Sequence, residues 1–553
     1  MKIALINPEI MSDRQRKEKQ NEPVSIQYLK SYLNQHGYVC DCFDFRIFTD
    51  PDAQIEKIAS RYEVAGISVF YPYNPLTLAQ KLKTYNPAIT IILGGPGAKL
   101  NYKNYLQDNS PVNFVVFNEG EEKLKLLMDY LEGKIPVTGL KGLAFRADKK
   151  IMVIGRAAPM DIDTIHYPKR DPQEIGNYIP SIVSSRGCNG RCTFCSNSYM
   201  GKWRGRNYMD VADEVEYLNK SLKQRYFQFI EPNFLGDNDR GLQIAREIRK
   251  RKLNVSFDFS CRVDSLIEGK EVLKYLKNAG ASRVLLGVEN FYDNTLKAWQ
   301  KEITNQEILD AIAFLKEIEL PFTISLILFH KNMTMEELEY NMDIIDTANI
   351  GNKIDNLFNK MIFYPGTGLN RTNEIIEWEF ESGGIKNIYE KCISYTQSQE
   401  KFRNELFAFH KQLVTCEKVD SYILKNLFYF ESVKKKELAI LKCYTGFRFQ
   451  EKDKQLLTYQ DYSDGHIVFR LNPEIHVSEE GDTYIFSNLD TGFSYYANPS
   501  SYLIYCFVNH CTYYEFTQKV LDNFGPMEVN DYFKAVSVLF QFVYLDILVL
   551  ENK

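Results

Sequence analysis

Short apolar runs alternate with longer amphipathic segments along the first 134 residues of the chain. The segment VSIQYLKSYLNQHG repeats its apolar positions with the period of a helix, whereas the runs around it are apolar almost throughout. Those runs, the predicted strands, are KIALINP, YVCDCFDF, VAGISVF, ITIILGG and NFVVFNEGE. Strands that are apolar on both faces and alternate with helices are typical of a parallel sheet covered on both sides. We therefore predict an α/β domain that binds its ligands at the carboxyl ends of these strands.

The same rhythm returns at residues 181–370, after a stretch at 135–180 that predicts a short hairpin and a linker rich in Pro and Asp. The first apolar run precedes Cys188, and the others are RYFQFIEPNF, NVSFDFSCR, ASRVLLGVEN, PFTISLILF and NLFNKMIFYPGT. Six such runs, each followed by a segment of helix length, predict an open (β/α)6 barrel with its chemistry at the strands' carboxyl ends. Residues 371–465 indicate helices and suggest no function.

The pattern changes again at residues 466–553, where EIHVSEEGDTYIFSNLDTGFSYYAN alternates apolar and polar positions. That alternation predicts three short antiparallel strands. Three helical patterns follow, starting near Pro499, Thr512 and Val529, and DILVL predicts a last strand. The chain is thus predicted to be an α/β multidomain protein: a Rossmann-like sheet at 1–134, a partial barrel, and a small α+β domain of winged-helix-like type.

Composition and charge exclude several classes of protein. With 44% apolar and 25% charged residues the chain is globular, and its net charge of -5 provides no basic field for nucleic acid. The N-terminus lacks the apolar core of a signal peptide. VSVLFQFVYLDILVL, the longest apolar stretch, is shorter than the roughly 20 residues of a membrane span. We expect a cytoplasmic protein that works without membrane or nucleic acid.

Three of the eleven cysteines, Cys188, Cys192 and Cys195, lie within the segment RGCNGRCTFCS. Thiolates bind soft metals, so the candidates are zinc and an iron-sulfur cluster. A structural zinc site needs four ligands, and no second cysteine pair lies nearby. The spacing instead matches a cubane cluster in which three irons are held by cysteine and one is left open for a substrate or cosubstrate.

This cysteine loop, which follows the first barrel strand and carries Phe194 before its third cysteine, resembles the signature of the radical S-adenosylmethionine (SAM) superfamily. The resemblance implies a 4Fe-4S cluster whose open iron binds SAM, reductive cleavage of SAM to a 5′-deoxyadenosyl radical, and an electron donor such as flavodoxin or ferredoxin. The candidate SAM-binding residues are Phe194, Glu231, Arg262 and Glu289.

Two of these residues, Arg262 and Glu289, are equally compatible with a barrel salt bridge. The loop after the fifth strand departs from the family pattern because it carries His330 and Lys331 instead of several glycines. A role for His330 in the substrate site and an ordinary place in the loop both remain open. So do two readings of GKWRGR at 201–206: a solvated basic loop, or a contact to peptide or cofactor.

The first domain resembles the cobalamin-binding domain that precedes the barrel in one radical SAM subgroup. The INP start, the GISVF and IILGG strands, the NEGEEKL turn and the GLAFRADKKI hairpin carry the resemblance, which implies cobalamin as a cofactor. The candidate cobalamin-binding residues are Ser68, Gly94, Gly95 and Glu119. The chain lacks the D-x-H-x-x-G loop that supplies histidine to cobalt in other cobalamin proteins. The GG turn is also compatible with a tight connection that binds nothing.

Residues 466–553 resemble the recognition domain of enzymes that modify ribosomally made peptides. The resemblance implies that the leader of a precursor peptide adds a strand to the edge of the small sheet. Together the resemblances predict a cobalamin-dependent radical SAM enzyme that methylates an unactivated carbon of a precursor peptide. The alternatives are a radical peptide maturase that forms a ring, crosslink or epimer, a non-catalytic iron-sulfur sensor or peptide carrier, and an accessory role for the last domain in oligomerisation.

Overall fold

The structure is a computed structural model of the full chain. It describes residues 1–9, 20–70, 73–148, 150–155, 158–173, 175–348, 350–354, 356–372, 374–390, 392–393, 467–471, 473, 475–480, 483–488, 493–497, 499–508, 511–524 and 548–552. These form two compact units. One comprises Met1–Leu326 and Met361–Trp378, and the other comprises Ile327–Lys360 and Glu379–Lys553. Each is described by itself.

The first unit begins with a seven-stranded sheet in the order β3-β1-β4-β5-β6-β7-β8, of which the first five strands are parallel. The strands up to residue 154 are β1 (Lys2–Asn7), β2 (Gln20–Asn21), β3 (Val39–Asp44), β4 (Val64–Ser68), β5 (Thr90–Gly94), β6 (Phe114–Val116), β7 (Leu143–Ala147) and β8 (Lys150–Ile154). The helices between them are α1 (Val24–Gln35), α2 (Pro51–Arg61), α3 (Leu76–Tyr85), α4 (Pro96–Leu100), α5 (Tyr102–Tyr105) and α6 (Glu121–Leu131).

Burial follows the predicted pattern in this sheet. Every residue of β4 is buried, as is all of β1 except Lys2, because helices cover both faces. The predicted hairpin, β7 and β8, extends the sheet antiparallel. Since the chain leaves β1 toward β3 and then returns to the other side of β1 at β4, the order reverses there. Such a reversal opens a crevice at the carboxyl ends of the strands.

The same unit contains a second, parallel sheet in the order β10-β13-β14-β15-β16. The strands of this region are β9 (Tyr178–Ile179), β10 (Ser181–Ile182), β11 (Ser185–Arg186), β12 (Arg204–Gly205), β13 (Tyr226–Phe229), β14 (Ser256–Arg262), β15 (Ala281–Glu289) and β16 (Phe322–Leu326). Its helices are α7 (Tyr208–Glu216), α8 (Asn238–Lys250), α9 (Val263–Glu268), α10 (Lys270–Ala279), α11 (Asp293–Ala298) and α12 (Asn305–Glu317). The predicted α/β fold, with a parallel sheet followed by a partial barrel, is confirmed.

The sixth predicted barrel strand differs. In NLFNKMIFYPGT, Lys360 forms an isolated bridge with Phe329 and Phe363 forms one with Ile376. The described residues of this segment form no regular strand. Asparagines and a Pro-Gly pair interrupt the run, and both are poor strand formers.

The second unit contains helix α13 (Met335–Thr347) and the C-terminal elements. These are β17 (Ile467–Leu471), β18 (Ile475–Glu480), β19 (Thr483–Asn488), β20 (Phe493–Ala497), α14 (Pro499–Phe507), β21 (Cys511–Thr512), α15 (Tyr513–Phe524) and β22 (Leu548–Asn552). The predicted antiparallel trio is present as β18-β19-β20, and the two helices begin where the patterns predict. Strand β17, which pairs with β22, was not predicted. The predicted helix near Val529 and most of 371–465 lie outside the described residues.

Candidate functional site

The cysteine loop is closed at its base by β11 and β12, which pair antiparallel. Inside it, the Cys188 N–H donates to the Gly201 carbonyl at 3.3 Å and the Cys195 N–H donates to the Cys192 carbonyl at 3.2 Å. Because β10 directly precedes the loop, the cysteines stand at the carboxyl end of the second sheet. This is where the barrel reading predicts chemistry.

The loop is anchored to two later segments of the chain through Thr193. Its N–H donates to the Trp299 carbonyl at 2.9 Å, and its own carbonyl accepts from the Leu369 N–H at 3.0 Å. The ring of Phe194 packs edge-on against the Trp299 ring with centroids 5.4 Å apart. Phe194, a candidate SAM-binding residue, is therefore at least partly a packing residue of the loop.

All three thiols are free and partly exposed. The Gly190 N–H donates to Cys188 Sγ at 3.4 Å, and Arg262 Nη1 donates to Cys192 Sγ at 3.4 Å. Burial raises the pKa of the Cys195 thiol, and the nearby Cys192 and Cys188 thiolates add to the rise. The thiols thus lie close enough to feel one another's charge.

Within the described part of the chain, no three His, Cys, Asp or Glu side chains are arranged to hold a single metal ion. A mononuclear zinc site requires its ligands to converge on one point. In a cubane each thiolate binds a different iron, so the sulfurs stand apart. Three thiols on one loop, with an amide and a guanidinium donating to sulfur, fit a 4Fe-4S cluster better than zinc.

Arg262 and Glu289 do not pair with each other; each forms its own ion pair at the barrel, Arg262 with Asp264 and Glu289 with Lys301. Arg262 Nη2 donates to Asp264 Oδ2 at 2.6 Å and to the Lys301 carbonyl at 2.9 Å. Glu289, whose backbone is left-handed with φ 71°, accepts from Ser325 Oγ at 3.0 Å and from Lys301 Nζ at 3.5 Å. Both residues lie at carboxyl ends of neighbouring strands, on the side of the cysteine loop. Their proposed contact to SAM stays a prediction.

Glu231 lies two residues after the end of β13 and is buried. Its carboxylate accepts from the hydroxyl of Ser184 through a short hydrogen bond, and from the Ser184 N–H at 3.4 Å. Burial raises the pKa of Glu231, although the Ser184 hydrogen bond and the nearby Arg240 oppose the rise. In this arrangement Glu231 fixes the chain just before the cysteine loop. Its contact to SAM also stays a prediction.

The four candidate cobalamin-binding residues line one cavity of about 970 Å³ at the carboxyl ends of the first sheet. Ser68 ends β4, and Gly94 and Gly95 form the turn after β5. Gly95 has φ 94°, and a Cβ there would lie 2.8 Å from the carbonyl oxygen of Val69. The turn is therefore tight, as expected for a connection that binds nothing. It also faces the cavity, as expected for a cobalamin-binding turn.

Glu119, the fourth of these residues, also pairs with Arg204, which follows the cysteine loop. Arg204 Nη2 donates to Glu119 Oε1 at 2.7 Å, the Met160 N–H donates to Oε2 at 2.8 Å, and Arg186 pairs with Oε1 at 3.4 Å. Arg186 also forms a short ion pair with the buried Glu121. Burial alone would raise the pKa of Glu119, but Arg204, the Met160 amide and Arg186 together lower it. We call Glu119, Glu121, Arg186 and Arg204 the rim pairs.

A second group of charges is fully buried between the first domain and the barrel, and we call it the seam. Arg170 Nε donates to Glu22 Oε1 and Nη2 donates to Glu214 Oε1, both at 2.9 Å. Arg206 Nη1 donates to Glu214 Oε2 at 2.6 Å and to Tyr28 Oη at 2.9 Å. The Arg206 side chain is 1% exposed, so the interpretation of GKWRGR as a solvated loop fails at Arg206, whereas Gly201 and Lys202 are exposed as it expects.

His330, in the second unit, is buried, and its Nε2 lies 2.8 Å from Glu337 Oε1. This contact is compatible with an ordinary place in the loop, and a role for His330 in the substrate site stays a prediction. Lys331 lies 3.9 Å from the Glu381 carboxylate and is half-exposed.

The sequence analysis named Arg204 and Arg206 only as part of GKWRGR and missed their partners, and it missed Trp299, Lys301 and Glu121 altogether. Only one signal pointed to them. Three basic residues follow the last cysteine closely in a chain that is acidic as a whole, and two glutamates open α6. Opposite charges at both places could have suggested the pairing.

Two family models match the chain: the Radical SAM superfamily at residues 182–345 and the B12 binding domain at residues 18–128. The chain therefore contains a radical SAM domain and a B12-binding domain. The first implies a 4Fe-4S cluster and SAM, and the second supports cobalamin as a cofactor. The cysteine loop and the cavity described above are the places in these domains that fit such groups.

Two relatives and one solved structure extend the comparison. "Uncharacterized methyltransferase PH0819" of Pyrococcus horikoshii is 27% identical over 57% of this chain and 71% of its own. Anaerobic magnesium-protoporphyrin IX monomethyl ester cyclase of Rubrivivax gelatinosus is 26% identical over 61% of this chain and 64% of its own, so the chain spans under two thirds of that relative. The cobalamin-dependent SAM radical enzyme OxsB, solved with aqua-cobalamin and SAM, has a TM-score of 0.67 at 17% identity, over 82% of this chain and 77% of its own. The likeness to OxsB shows that the two chains share a fold.

No helix in the described ranges is both long and apolar enough to cross a membrane.

Proposed function

We propose that this chain is a cobalamin-dependent radical SAM methyltransferase that acts on an unactivated carbon of a ribosomally made precursor peptide. One observation carries the cobalamin and radical SAM part of the proposal. The cavity at the carboxyl ends of the first sheet is also lined by Met200, Gly201 and Arg204, which directly follow the cysteine loop. The segment after the proposed cluster site thus forms part of the proposed cobalamin site.

The cavity suits a large amphipathic ligand. Its volume of about 970 Å³ is at the upper end of ligand pockets. Backbone and hydroxyl groups from Ser68, Gly94 and Asn118 converge on it, while Leu5 and Ile92 give it apolar surface. Such a mixture is what a corrin ring with peripheral amides would require.

The chain's own residues have distinct tasks. Cys188, Cys192 and Cys195 would hold the cluster, and Arg262 and Glu289 stand beside it at the strand ends. When bound, the cluster supplies the electron that cleaves SAM, and cobalamin supplies a carrier for the methyl group. The protein's contribution is to hold the target C–H in place and to exclude water.

Methyl transfer is favoured over other radical outcomes by the relative named as a methyltransferase. The cyclase relative motivates the second candidate, a radical maturase that forms a ring or crosslink in the peptide. An electron donor such as flavodoxin or ferredoxin would serve either reaction.

The proposal of a peptide substrate rests on the last domain. Among the residues that the structure describes, strands β18 and β20 are the edges of the antiparallel trio, so each leaves one row of main-chain groups unpaired by another described strand. A leader peptide can add a strand to such an edge. The stacked rings of Tyr484 and Tyr502, 3.9 Å apart, join the sheet to α14 and stiffen it.

The proposal is tested with anaerobically purified, reconstituted full-length protein and the short peptides encoded beside it. We expect retained cobalt and SAM cleavage to 5′-deoxyadenosine, with each modified peptide gaining one CH2 unit by mass spectrometry. Loss of two hydrogens from the peptide would favour the ring-forming candidate. SAM cleavage with no peptide change, while a small-molecule acceptor is methylated, would overturn the peptide substrate alone.

Cys192→Ala is the control for the radical step. It should retain cobalt but lose SAM cleavage. If wild-type protein loaded with cobalt and iron fails to cleave SAM under a strong reductant, the proposal of a radical enzyme is refuted. The hypothesis of a non-catalytic iron-sulfur sensor is then favoured.

A further inference from the structure

Several hydrogen bonds fix the Arg262 side chain beside the cysteine loop. Its side chain is 5% exposed. Its Nε and Nη2 donate to both oxygens of Asp264 at 2.6–3.0 Å, and Nη2 also reaches the Lys301 carbonyl at 2.9 Å. Those contacts leave Nη1 directed at Cys192 Sγ, 3.4 Å away.

Gly190 makes this approach possible. A Cβ on Gly190 would lie 1.9 Å from Arg262 Nη1 and 2.7 Å from Cζ, which no real Cβ tolerates. The glycine lies between Cys188 and Cys192, so the loop has a gap that the guanidinium fills. Any larger residue would separate Arg262 from the thiol.

We propose that Arg262 is a positioning residue for the cluster: its guanidinium orients the Cys192 thiolate and raises the reduction potential of the iron-sulfur centre bound there. The inference rests on the cluster part of the proposed function and is independent of methyl transfer and of the peptide.

The physical reason is charge. Reduction adds an electron to the cluster, and a buried cation that donates a hydrogen bond to one of its sulfurs stabilises the reduced form. Asp264 offsets this only in part because its side chain is 34% exposed, so water screens its charge more than that of Arg262. The arginine therefore leaves a net positive influence at the sulfur.

The test is an EPR-monitored redox titration of the reconstituted full-length protein without SAM, together with iron content per chain. Arg262→Gln removes the charge and should lower the midpoint potential, so that the reduced fraction at a fixed potential falls several-fold. Arg262→Lys should restore part of the shift. Gly190→Ala keeps the arginine but displaces it, and should shift the potential in the same direction as Arg262→Gln.

Arg283→Gln is the matched control. Arg283 also pairs with an aspartate across β14 and β15, with 2.7 Å between its Nη2 and Asp258 Oδ2, but at the opposite ends of those strands. Its potential should equal that of the wild type. Equal potentials in wild type, Arg262→Gln and Gly190→Ala at full iron content would overturn the inference. If Arg262→Gln loses its iron, the potentials of Arg262→Lys and Gly190→Ala decide. A wild type that binds no iron would instead refute the cluster itself.

Discussion

The seam and the cysteine loop use arginine in opposite ways. At the seam, Arg170 and Arg206 are fully buried and share Glu214, both of whose carboxylate oxygens are bonded, and Arg206 also pairs with the partly exposed Asp210. At the loop, one arginine meets a thiol, and the thiols are partly exposed. Both seam arginines are paired with carboxylates, whereas the loop leaves its sulfurs available. Stability and chemistry are thus assigned to different arginines of the same unit, and substitutions should separate the two roles.

The largest expected effect lies in the loop. Cys195→Ala removes one of the three cluster ligands, so SAM cleavage should fall to background and iron content should drop. The apo-protein's thermal midpoint should stay close to that of the wild type, because the thiol is only partly buried. Anaerobic product analysis and calorimetry check the two halves. Retained cleavage would contradict the assignment of the cluster to these cysteines.

A substitution at the seam should lower the stability of the fold and not act on the chemistry at the cysteine loop. Glu214→Gln removes the carboxylate charge that Arg170 and Arg206 share, and breaking a buried pair typically costs about 3–5 kcal/mol of unfolding free energy. Because Arg170 keeps Glu22 and Arg206 keeps Asp210, we expect the lower end of that range. Lys220→Gln is the control, because its ion pair with Glu216 on the neighbouring turn is exposed and such pairs contribute under about 1 kcal/mol. Denaturant unfolding of both variants measures the contrast. Equal losses would mean that burial does not distinguish the two pairs.

A smaller effect is expected at the rim pairs, and it depends on pH. The pKa of Glu119 is lowered in the folded chain, so its ion pairs stabilise the fold above the ordinary glutamate pKa of 4.5, and that stability is lost as the pH falls below it. Glu119→Gln should therefore cost about 1–2 kcal/mol near neutral pH. The difference from wild type should shrink in acid. Unfolding curves at several pH values test this, and a constant difference would argue against an ionised Glu119.

The smallest effect is expected at Phe194. Phe194→Leu keeps apolar volume but removes the edge-on contact with Trp299, which is worth about 0.5–1.5 kcal/mol. The Thr193 hydrogen bond to the Trp299 carbonyl remains, so cluster assembly should persist and SAM cleavage should fall only a few-fold. A loss as complete as that of Cys195→Ala would point to a direct role of Phe194 in binding SAM.

The sequence pattern predicted the elements far better than the contacts between them. The cysteine spacing located the cluster loop, and unbroken apolar runs such as that of β1 predicted a doubly covered sheet. Local patterns contain no information about partners such as Glu22 and Arg170, which are 148 positions apart. The pairing of Arg262 with Asp264 was within reach, since the two lie two residues apart. Its contact to Cys192 depends on a gap at Gly190 that only the folded loop reveals.

The double engagement of Glu119 has a thermodynamic consequence. Glu119 lines the cavity, and its carboxylate pairs with Arg204. Three positions before Arg204, the Gly201 carbonyl accepts a hydrogen bond from the Cys188 amide. If a ligand in the cavity shifts this chain of contacts, it changes the affinity of the loop for its metal centre, and linkage requires the metal centre to change the ligand's affinity by the same factor. Cobalt retention measured with and without iron, and iron retention measured with and without cobalt, should therefore give one coupling constant.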